Sequence, residues 1–149
     1  MIYVLIIALV IAADILSKRK IIKGLPVEEK KVLVPGKLEL WHRKNSGFCY
    51  NMHSGHINTV IAVAGSLTAA AVAWLMCLLP KKGESALKIG LAFSIGGAVG
   101  NLYERIFKKK VTDFIFVKVK NAPIFNVADV FIFMGNFIIM AATIFKKRI

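Results

Sequence analysis

Two aspartates lie in apolar stretches of the C-terminal third. Asp113 is in Val111-Thr112-Asp113-Phe114, and Asp129 is in Phe125-Asn126-Val127-Ala128-Asp129. Two carboxylates that share an apolar site cannot both ionise easily, so one keeps a proton near neutral pH. The protonated carboxyl can polarise a peptide carbonyl while its partner takes a proton from water. A carboxylate in the first turn of a helix is also a common cap, so Asp129 alone indicates little; the pair predicts aspartic protease chemistry.

Further polar residues lie at the ends of apolar runs. Asp14 precedes Lys18 by four residues, which pairs the two charges on one helix face, either as a structural ion pair or as part of a site. Asn101 and Arg105 are one helical turn apart and follow the glycine-rich segment 96–100. The glycines are explained by close helix packing in a membrane. Helix packing does not explain Asn101 and Arg105, which we therefore treat as candidate site residues.

The composition indicates a membrane protein, whose helices would position these polar side chains. The chain has 149 residues, of which 57% are hydrophobic and only 19% charged, and its mean hydropathy is +0.66. Such a chain is too apolar for disorder or for an ordinary soluble domain. Four apolar runs approach the length that a bilayer requires: residues 3–16, 57–79, 87–103 and 127–145. We predict a single membrane-embedded domain over residues 1–149, mainly α, with four transmembrane helices in a bundle.

The segments between the runs contain short strands and most of the charge. Residues 32–40 alternate around Pro35-Gly36 and predict a β-hairpin, and residues 111–120 predict another strand. The net charge is +13, but the basic residues cluster between apolar runs, where anionic lipid headgroups rather than nucleic acid are the expected partner. Side A is defined as both termini and residues 80–88, and side B as residues 17–56 and 104–126. Side A has six Lys and Arg and side B fifteen, so charge counting places side B in the cytoplasm.

The motifs resemble, in order, those of bacterial lipoprotein signal peptidase, also called signal peptidase II. The matching segments cover nearly the whole chain: Asp14 with Lys18, Asn45-Ser46-Gly47, residues 96–101 with Arg105, residues 111–114, and residues 125–129. The resemblance implies an intramembrane aspartic endopeptidase that cleaves diacylglyceryl-modified prolipoproteins before the lipidated cysteine. It assigns Asp113 and Asp129 as the catalytic pair. It assigns substrate-binding or supporting roles to Asp14, Lys18, Asn45, Gly47, Asn101, Arg105 and Asn126.

The resemblance also implies a location and partners. The family lies in the bacterial cytoplasmic membrane, with both termini in the cytoplasm and the site near the outer face. Side B and its β-rich segment would then be extracytoplasmic, against the charge count, and we favour the motif match because long loops translocate largely regardless of charge. We expect a monomer without metal or cofactor that binds a prolipoprotein and membrane lipids, and no nucleic acid.

The chain departs from the family pattern at three places. Glu104 stands where the family usually has Asp, Ile15 where it commonly has Gln, and Phe48-Cys49-Tyr50 replaces the usual residues after the Asn-x-Gly motif. The aspartate pair is intact, so these departures bear on substrate preference more than on catalysis. A divergent non-peptidase of the same fold, a structural subunit and a small carrier with a polar site are the alternatives, although a carrier would spread its polar groups through the bilayer depth.

A metal site is a further alternative. Cys49, His53 and His56 have a spacing that metal ligands can have, and His42 is nearby, but the chain has no H-E-x-x-H motif. We therefore expect no metal and place these histidines at the level of the lipid headgroups. Cys49 and Cys77 lie in very different settings and predict no disulfide framework.

Overall fold

The computed structural model describes residues 1–48 and 51–146 as four helices and a four-stranded sheet. The helices are α1 (Ile2–Gly24), α2 (Ile57–Leu78), α3 (Ser85–Lys108) and α4 (Val127–Lys146). The strands are β1 (Lys30–Val34), β2 (Leu38–Asn45), β3 (Val111–Val117) and β4 (Ile124–Phe125). The chain is mainly helical with a small antiparallel sheet, as the sequence predicts.

Three of the four helices in the described part of the chain, α2, α3 and α4, are long and apolar enough to cross a membrane. Helix α1 has 23 residues, but its C-terminal half contains Asp14, Lys18 and Arg19 among other charges. These charges set α1 apart from the other three helices, because charged side chains are costly in a hydrocarbon environment. The predicted spans are supported for three helices, and the fourth stays a prediction.

Two helices extend beyond the apolar runs that predicted them. Helix α1 continues from Leu16 to Gly24, with Lys18 and Ile21 buried, and stops at Leu25, whose extended backbone (φ −143°, ψ 115°) precedes Pro26. Helix α3 continues past Tyr103 to Lys108. The end of an apolar run therefore did not mark the end of either helix, because a helix can leave an apolar environment and continue with charged side chains.

Helix α3 is central to the bundle, since it contacts α1, α2 and α4. Its glycines permit this close approach, as predicted. A Cβ on Gly97 would overlap the backbone oxygen of Ala128 in α4, and one on Gly100 would lie 2.6 Å from Asp14 Oδ2 in α1. The absence of side chains at these two positions brings the polar ends of α1, α3 and α4 together.

The sheet has the strand order β1-β2-β3-β4, and every neighbouring pair is antiparallel. The predicted hairpin around Pro35-Gly36 is present as β1 and β2. Strand β3 ends at Val117 instead of residue 120, and the two-residue strand β4 was not predicted because it is too short to show a pattern. The register pairs Arg43 of β2 with Asp113 of β3, so the sheet fixes the position of the first candidate aspartate.

Candidate active site

Asp113 is buried in β3, with only 4% of its surface exposed. Both carboxylate oxygens accept hydrogen bonds from neutral amides: Oδ2 from Asn45 Nδ2 at 3.0 Å and Oδ1 from Asn126 Nδ2 at 2.8 Å. Burial raises the pKa of the Asp113 carboxyl from 3.8 to about 6, and the nearby negative charge of Asp129 adds to this rise. The hydrogen bonds from Asn45 and Asn126 act in the opposite direction, because they favour the ionised form. Asp113 can therefore hold a proton near neutral pH.

Asp129 lies in the first turn of α4 and forms a reciprocal capping arrangement with Asn126. Its Oδ2 accepts a hydrogen bond from the Asn126 backbone N at 3.1 Å, and its own backbone N donates to Asn126 Oδ1 at 3.0 Å. Its other oxygen, Oδ1, accepts from Asn101 Nδ2 at 2.7 Å. The capping explanation for Asp129 is therefore structurally correct, and the same geometry places its carboxylate beside the Asn101 amide.

Asn126 and Asn101 connect the two aspartates. Asn126 is fully buried, and its Nδ2 donates to Asp113 Oδ1 and, at 3.1 Å, to Asn101 Oδ1. Asn101 in turn donates to Asp129. Asn126 therefore holds Asp113, Asn101 holds Asp129, and the hydrogen bond between the two amides joins both carboxylates in one network.

Lys18 and Asp14 support this network from α1. The buried Lys18 ammonium donates to Asp14 Oδ2 at 2.7 Å and to Asn101 Oδ1 at 2.9 Å. Asp14 Oδ1 accepts from the backbone N of Ala128 at 3.0 Å, in the first turn of α4. The predicted pairing of Asp14 with Lys18 is confirmed, and the pair also holds Asn101 and the start of α4.

Glu104 is a further buried carboxylate in α3, at the position where the chain departs from the family pattern. It accepts hydrogen bonds from the backbone N and the hydroxyl of Thr112, at 2.8 and 3.1 Å, and from Lys108 Nζ at 2.9 Å. Lys18 Nζ lies 3.4 Å from Glu104 Oε2. Glu104 therefore ties β3 to α3 directly beside Asp113. The sequence indicates Glu104 only by its position before Arg105, where it departs from the family pattern. Its hydrogen bonds to Thr112 depend on the fold and could not be predicted.

Arg105 of α3 contacts Gly47 of the loop after β2 and links that loop to the site. The Arg105 guanidinium donates to the backbone oxygen of Gly47 at 3.0 Å, and the Gly47 backbone N donates to Asn45 Oδ1 at 2.9 Å. A Cβ on Gly47 would overlap the backbone oxygen of Met52, so only glycine fits at this point of the loop. All nine candidate residues named from the sequence are consequently connected by hydrogen bonds.

The network borders a cavity of about 450 Å³ that contains both aspartates in its wall. Seven lining residues were not predicted as site residues, and all of them are apolar: Phe48, Val111, Pro123, Ile124, Phe125, Val130 and Phe133. Apolar residues are too common in a membrane protein for the sequence to single these out. The cavity can accommodate an apolar segment of chain against two carboxyl groups.

The candidate metal ligands do not form a cluster among the described residues. His42 is buried, and its Nδ1 lies 2.7 Å from the backbone oxygen of Leu25. The rings of His53 and His56 are in contact, with centroids 5.3 Å apart. Cys49, the fourth residue of this hypothesis, lies outside the described residues.

Comparison with known proteins identifies relatives along nearly the whole chain. A family model described as signal peptidase (SPase) II matches residues 6–145. A lipoprotein signal peptidase from Lactobacillus johnsonii is 31% identical over 143 residues, which is 96% of this chain and 92% of the relative. Lipoprotein signal peptidases from Mesorhizobium japonicum (37% identity, 89% of this chain and 79% of the relative) and Listeria monocytogenes (32%, 91% and 88%) are also similar.

Two solved structures share the fold. Both are described as bacterial membrane enzymes determined by the in meso method, at 2.3 and 1.9 Å resolution. The first superposes with a TM-score of 0.84 over 97% of this chain and 88% of the solved chain, at 22% identity. The second has a TM-score of 0.81, covers 95% and 91% of the two chains, and is 23% identical.

Proposed function

The chain belongs to the signal peptidase II family, and from this membership and the geometry of the site we propose an intramembrane aspartic endopeptidase with Asp113 and Asp129 as its catalytic pair. Its function is the removal of signal peptides from prolipoproteins. The bond that we assign to it is the one before the lipid-modified cysteine. The observation that supports the catalytic assignment best is that both carboxyl groups line one cavity and share one amide network.

The two aspartates take different roles in this proposal. Asp113 is the proton-bearing partner, because it is buried and held only by neutral amides. Asp129 is the ionised partner, because it accepts a backbone N–H at the start of α4, where the helix dipole favours negative charge. Asp129 takes a proton from water as the water oxygen adds to the scissile carbonyl carbon, and Asp113 gives its proton to the carbonyl oxygen. The C–N bond then breaks, the leaving amine takes the proton from Asp129, and one hydroxyl of the tetrahedral intermediate returns a proton to Asp113, which leaves a carboxylic acid and restores the pair.

The supporting residues divide into those that hold the pair and those that contact substrate. Lys18 orients Asn101, and Asp14 holds the first turn of α4, so both act through other groups. Arg105 lines the cavity, and its Nε has no hydrogen-bond partner among the described residues. We assign Arg105 to substrate binding, since its guanidinium can donate to peptide carbonyls or to a lipid phosphate.

The proposed arrangement in the membrane has four spans, with α1 as the fourth. The charges of α1 lie in its C-terminal half, at the level of the aspartate network, so its apolar N-terminal half can lie in the bilayer. We place one peptidase domain, residues 1–149, in the bacterial cytoplasmic membrane as a monomer, with the site near the extracytoplasmic face. Anionic headgroups are the expected partners of the basic residues of side B.

Topology is tested with a reporter fused after Ile149 and a membrane-impermeant thiol probe on Cys49 in a Cys77→Ser variant. We expect the reporter in the cytoplasm and Cys49 outside. A cytoplasmic Cys49 would contradict the proposed location of the site and would favour the orientation that charge counting gives.

The activity is tested by incubating the purified protein in detergent with a diacylglyceryl-modified prolipoprotein. The expected result is a product shortened by the signal peptide, formed equally well with a metal chelator present. The same precursor without its lipid serves as the control and is expected to be cleaved poorly. No shortened product from the lipidated precursor would overturn the proposed function, and loss of cleavage with chelator would overturn its aspartic mechanism.

A further inference from the structure

A second cavity, of about 230 Å³, adjoins the first. Four residues line both cavities: Asn45, Asp113, Pro123 and Ile124. Asp113 is therefore part of the wall that the two cavities share. A peptide that presents its scissile bond to Asp113 has chain on both sides of that bond, so both cavities are placed to receive substrate.

The two cavities are lined by different parts of the fold. The first takes Asn101 and Arg105 from α3 and Asp129, Val130 and Phe133 from α4. The second takes residues from the strands β2, β3 and β4 and from two loops, with no lining residue from α1, α2, α3 or α4. Phe133 is 75% exposed on the helix surface, so the first cavity adjoins the face that the membrane covers. The second cavity is lined mainly by the sheet.

The lining of the second cavity is suited to hydrogen-bond acceptors. Arg43 contributes a guanidinium beside the Trp41 ring, 5.1 Å from its centroid, and Lys30 Nζ lies 3.7 Å from the same centroid. The indole Nε1 of Trp41 is buried and has no hydrogen-bond partner within the described chain. Arg43 and Lys44 line this cavity, and guanidinium and ammonium groups donate hydrogen bonds but cannot accept them, so a fitting ligand presents carbonyl or carboxylate oxygens.

The Arg43 guanidinium already has one carboxylate partner. It forms an ion pair with Glu28, and both side chains are substantially exposed, at 44% and 58%. Exposed ion pairs of this kind are weak and exchange partners at little cost. A carboxylate on a ligand in the cavity can therefore compete with Glu28 for Arg43.

We propose that the second cavity binds the first residues of the mature lipoprotein, those that follow the lipidated cysteine, and that it favours acidic side chains there. This inference rests on the proposed function. The apolar signal peptide matches the first cavity and the adjoining membrane, whereas the mature segment must leave toward water. The polar, cationic cavity on the sheet side gives that segment a binding site immediately beyond Asp113.

The test compares three diacylglyceryl-modified substrates that differ only at the second and third residues after the scissile bond, which are Glu-Glu, Gln-Gln or Lys-Lys. We expect kcat/KM to be about fivefold higher for Glu-Glu than for Lys-Lys, the size of an exposed charge interaction. Arg43→Gln should reduce that ratio to near one while the Gln-Gln substrate is still cleaved. Lys31→Gln, which removes an exposed charge from β1 outside the cavity, is the matched control and should keep the wild-type ratio.

Glu28→Gln provides the decisive variant, because it frees Arg43 and should increase the preference for Glu-Glu. If the Arg43–Glu28 pair only stabilised the loop, both variants would change activity in the same direction for every substrate. A wild-type ratio near one, or a ratio that Arg43→Gln leaves unchanged, would overturn the subsite while leaving the proposed function intact. Failure to cleave any of the three substrates would overturn the proposed function, and the subsite with it.

Discussion

The protein contains two carboxylate pairs in one connected network, and they differ in the groups that surround them. Asp14, Glu104 and Asp113 are buried, and Asp129 is half-buried. Asp14 and Glu104 both contact the Lys18 ammonium, at 2.7 and 3.4 Å. Asp113 and Asp129 form no ion pair within the described part of the chain and accept hydrogen bonds only from amides. The first pair is held by an ammonium that also orients Asn101, whereas the second pair is held by neutral donors and lines the cavity. Partners and position therefore distinguish the pair that we assign to support from the pair that we assign to acid–base chemistry.

The largest effect is expected from the amide-held pair. Asp113→Asn and Asp129→Asn should each reduce the cleavage rate by about 10³-fold or more, because an amide keeps the shape but can neither share the proton nor act as a base. The measurement is the initial rate on a lipidated precursor, together with thermal unfolding in detergent to show that the variants are folded. Glu29→Gln, an exposed carboxylate on side B, is the control and should keep the parent rate. Activity near the parent level in either aspartate variant would contradict the catalytic assignment.

Loss of the ammonium beside Asp14 and Glu104 should lower the stability of the protein. Lys18→Met leaves two buried carboxylates without their shared cation and should lower the free energy of unfolding by about 3 kcal/mol. Lys108→Met is the matched control, since Lys108 also contacts Glu104 but its side chain is 49% exposed, and we expect a loss below about 1 kcal/mol. Both are measured by unfolding in detergent. Equal losses in the two variants would show that burial does not distinguish these lysines.

A smaller effect is expected from the substitution of Arg105 than from those in either carboxylate pair. Arg105→Ala removes a donor to Gly47 and to the cavity, and we expect KM to rise about tenfold, with residual turnover. Steady-state kinetics on the lipidated precursor separate KM from kcat. A loss of kcat as complete as in the aspartate variants would place Arg105 in the chemical step instead.

The smallest effect concerns the pKa of Asp113. Since this carboxyl must be protonated in the proposed mechanism, kcat/KM should fall as pH rises through about 6. The Asn45 hydrogen bond lowers the pKa of Asp113, so Asn45→Ala should move this fall to higher pH by less than about one unit. The midpoint of the pH profile is the readout, independent of any change in the maximal rate. A midpoint that stays in place or moves to lower pH would contradict the role of the amide.

The raised pKa of Asp113 also makes the stability of the folded protein depend on pH. The folded state keeps the Asp113 proton between about pH 4 and 6, where the unfolded chain has released it, so this carboxyl makes the protein less stable as pH rises through that window. Asp113→Asn should remove this part of the pH dependence. The sign is opposite to that of an aspartate whose pKa is lowered by an ion pair.

Much of the architecture follows from local patterns. Apolar runs predicted α2, α3 and α4, and Pro35-Gly36 predicted the hairpin of β1 and β2. The apolar run of the first helix ends at Leu16, whereas α1 continues to Gly24, and the run did not show how far the helix extends past Lys18. Strand β4 was missed because two residues show no periodicity.

The sequence by itself determined which residues could do chemistry, because ionisable and amide side chains are rare and costly in apolar segments and therefore stand out. Only the tertiary structure decided which carboxylates face an ammonium and which face amides. Glu104 and Asp113 are nine residues apart, yet one contacts Lys18 and the other contacts Asn45 and Asn126. The two cavities that Asp113 lines also depend on the register between β2 and β3. Proton affinity is set by the groups within a few ångströms of a carboxyl, and distant segments of the chain supply those groups.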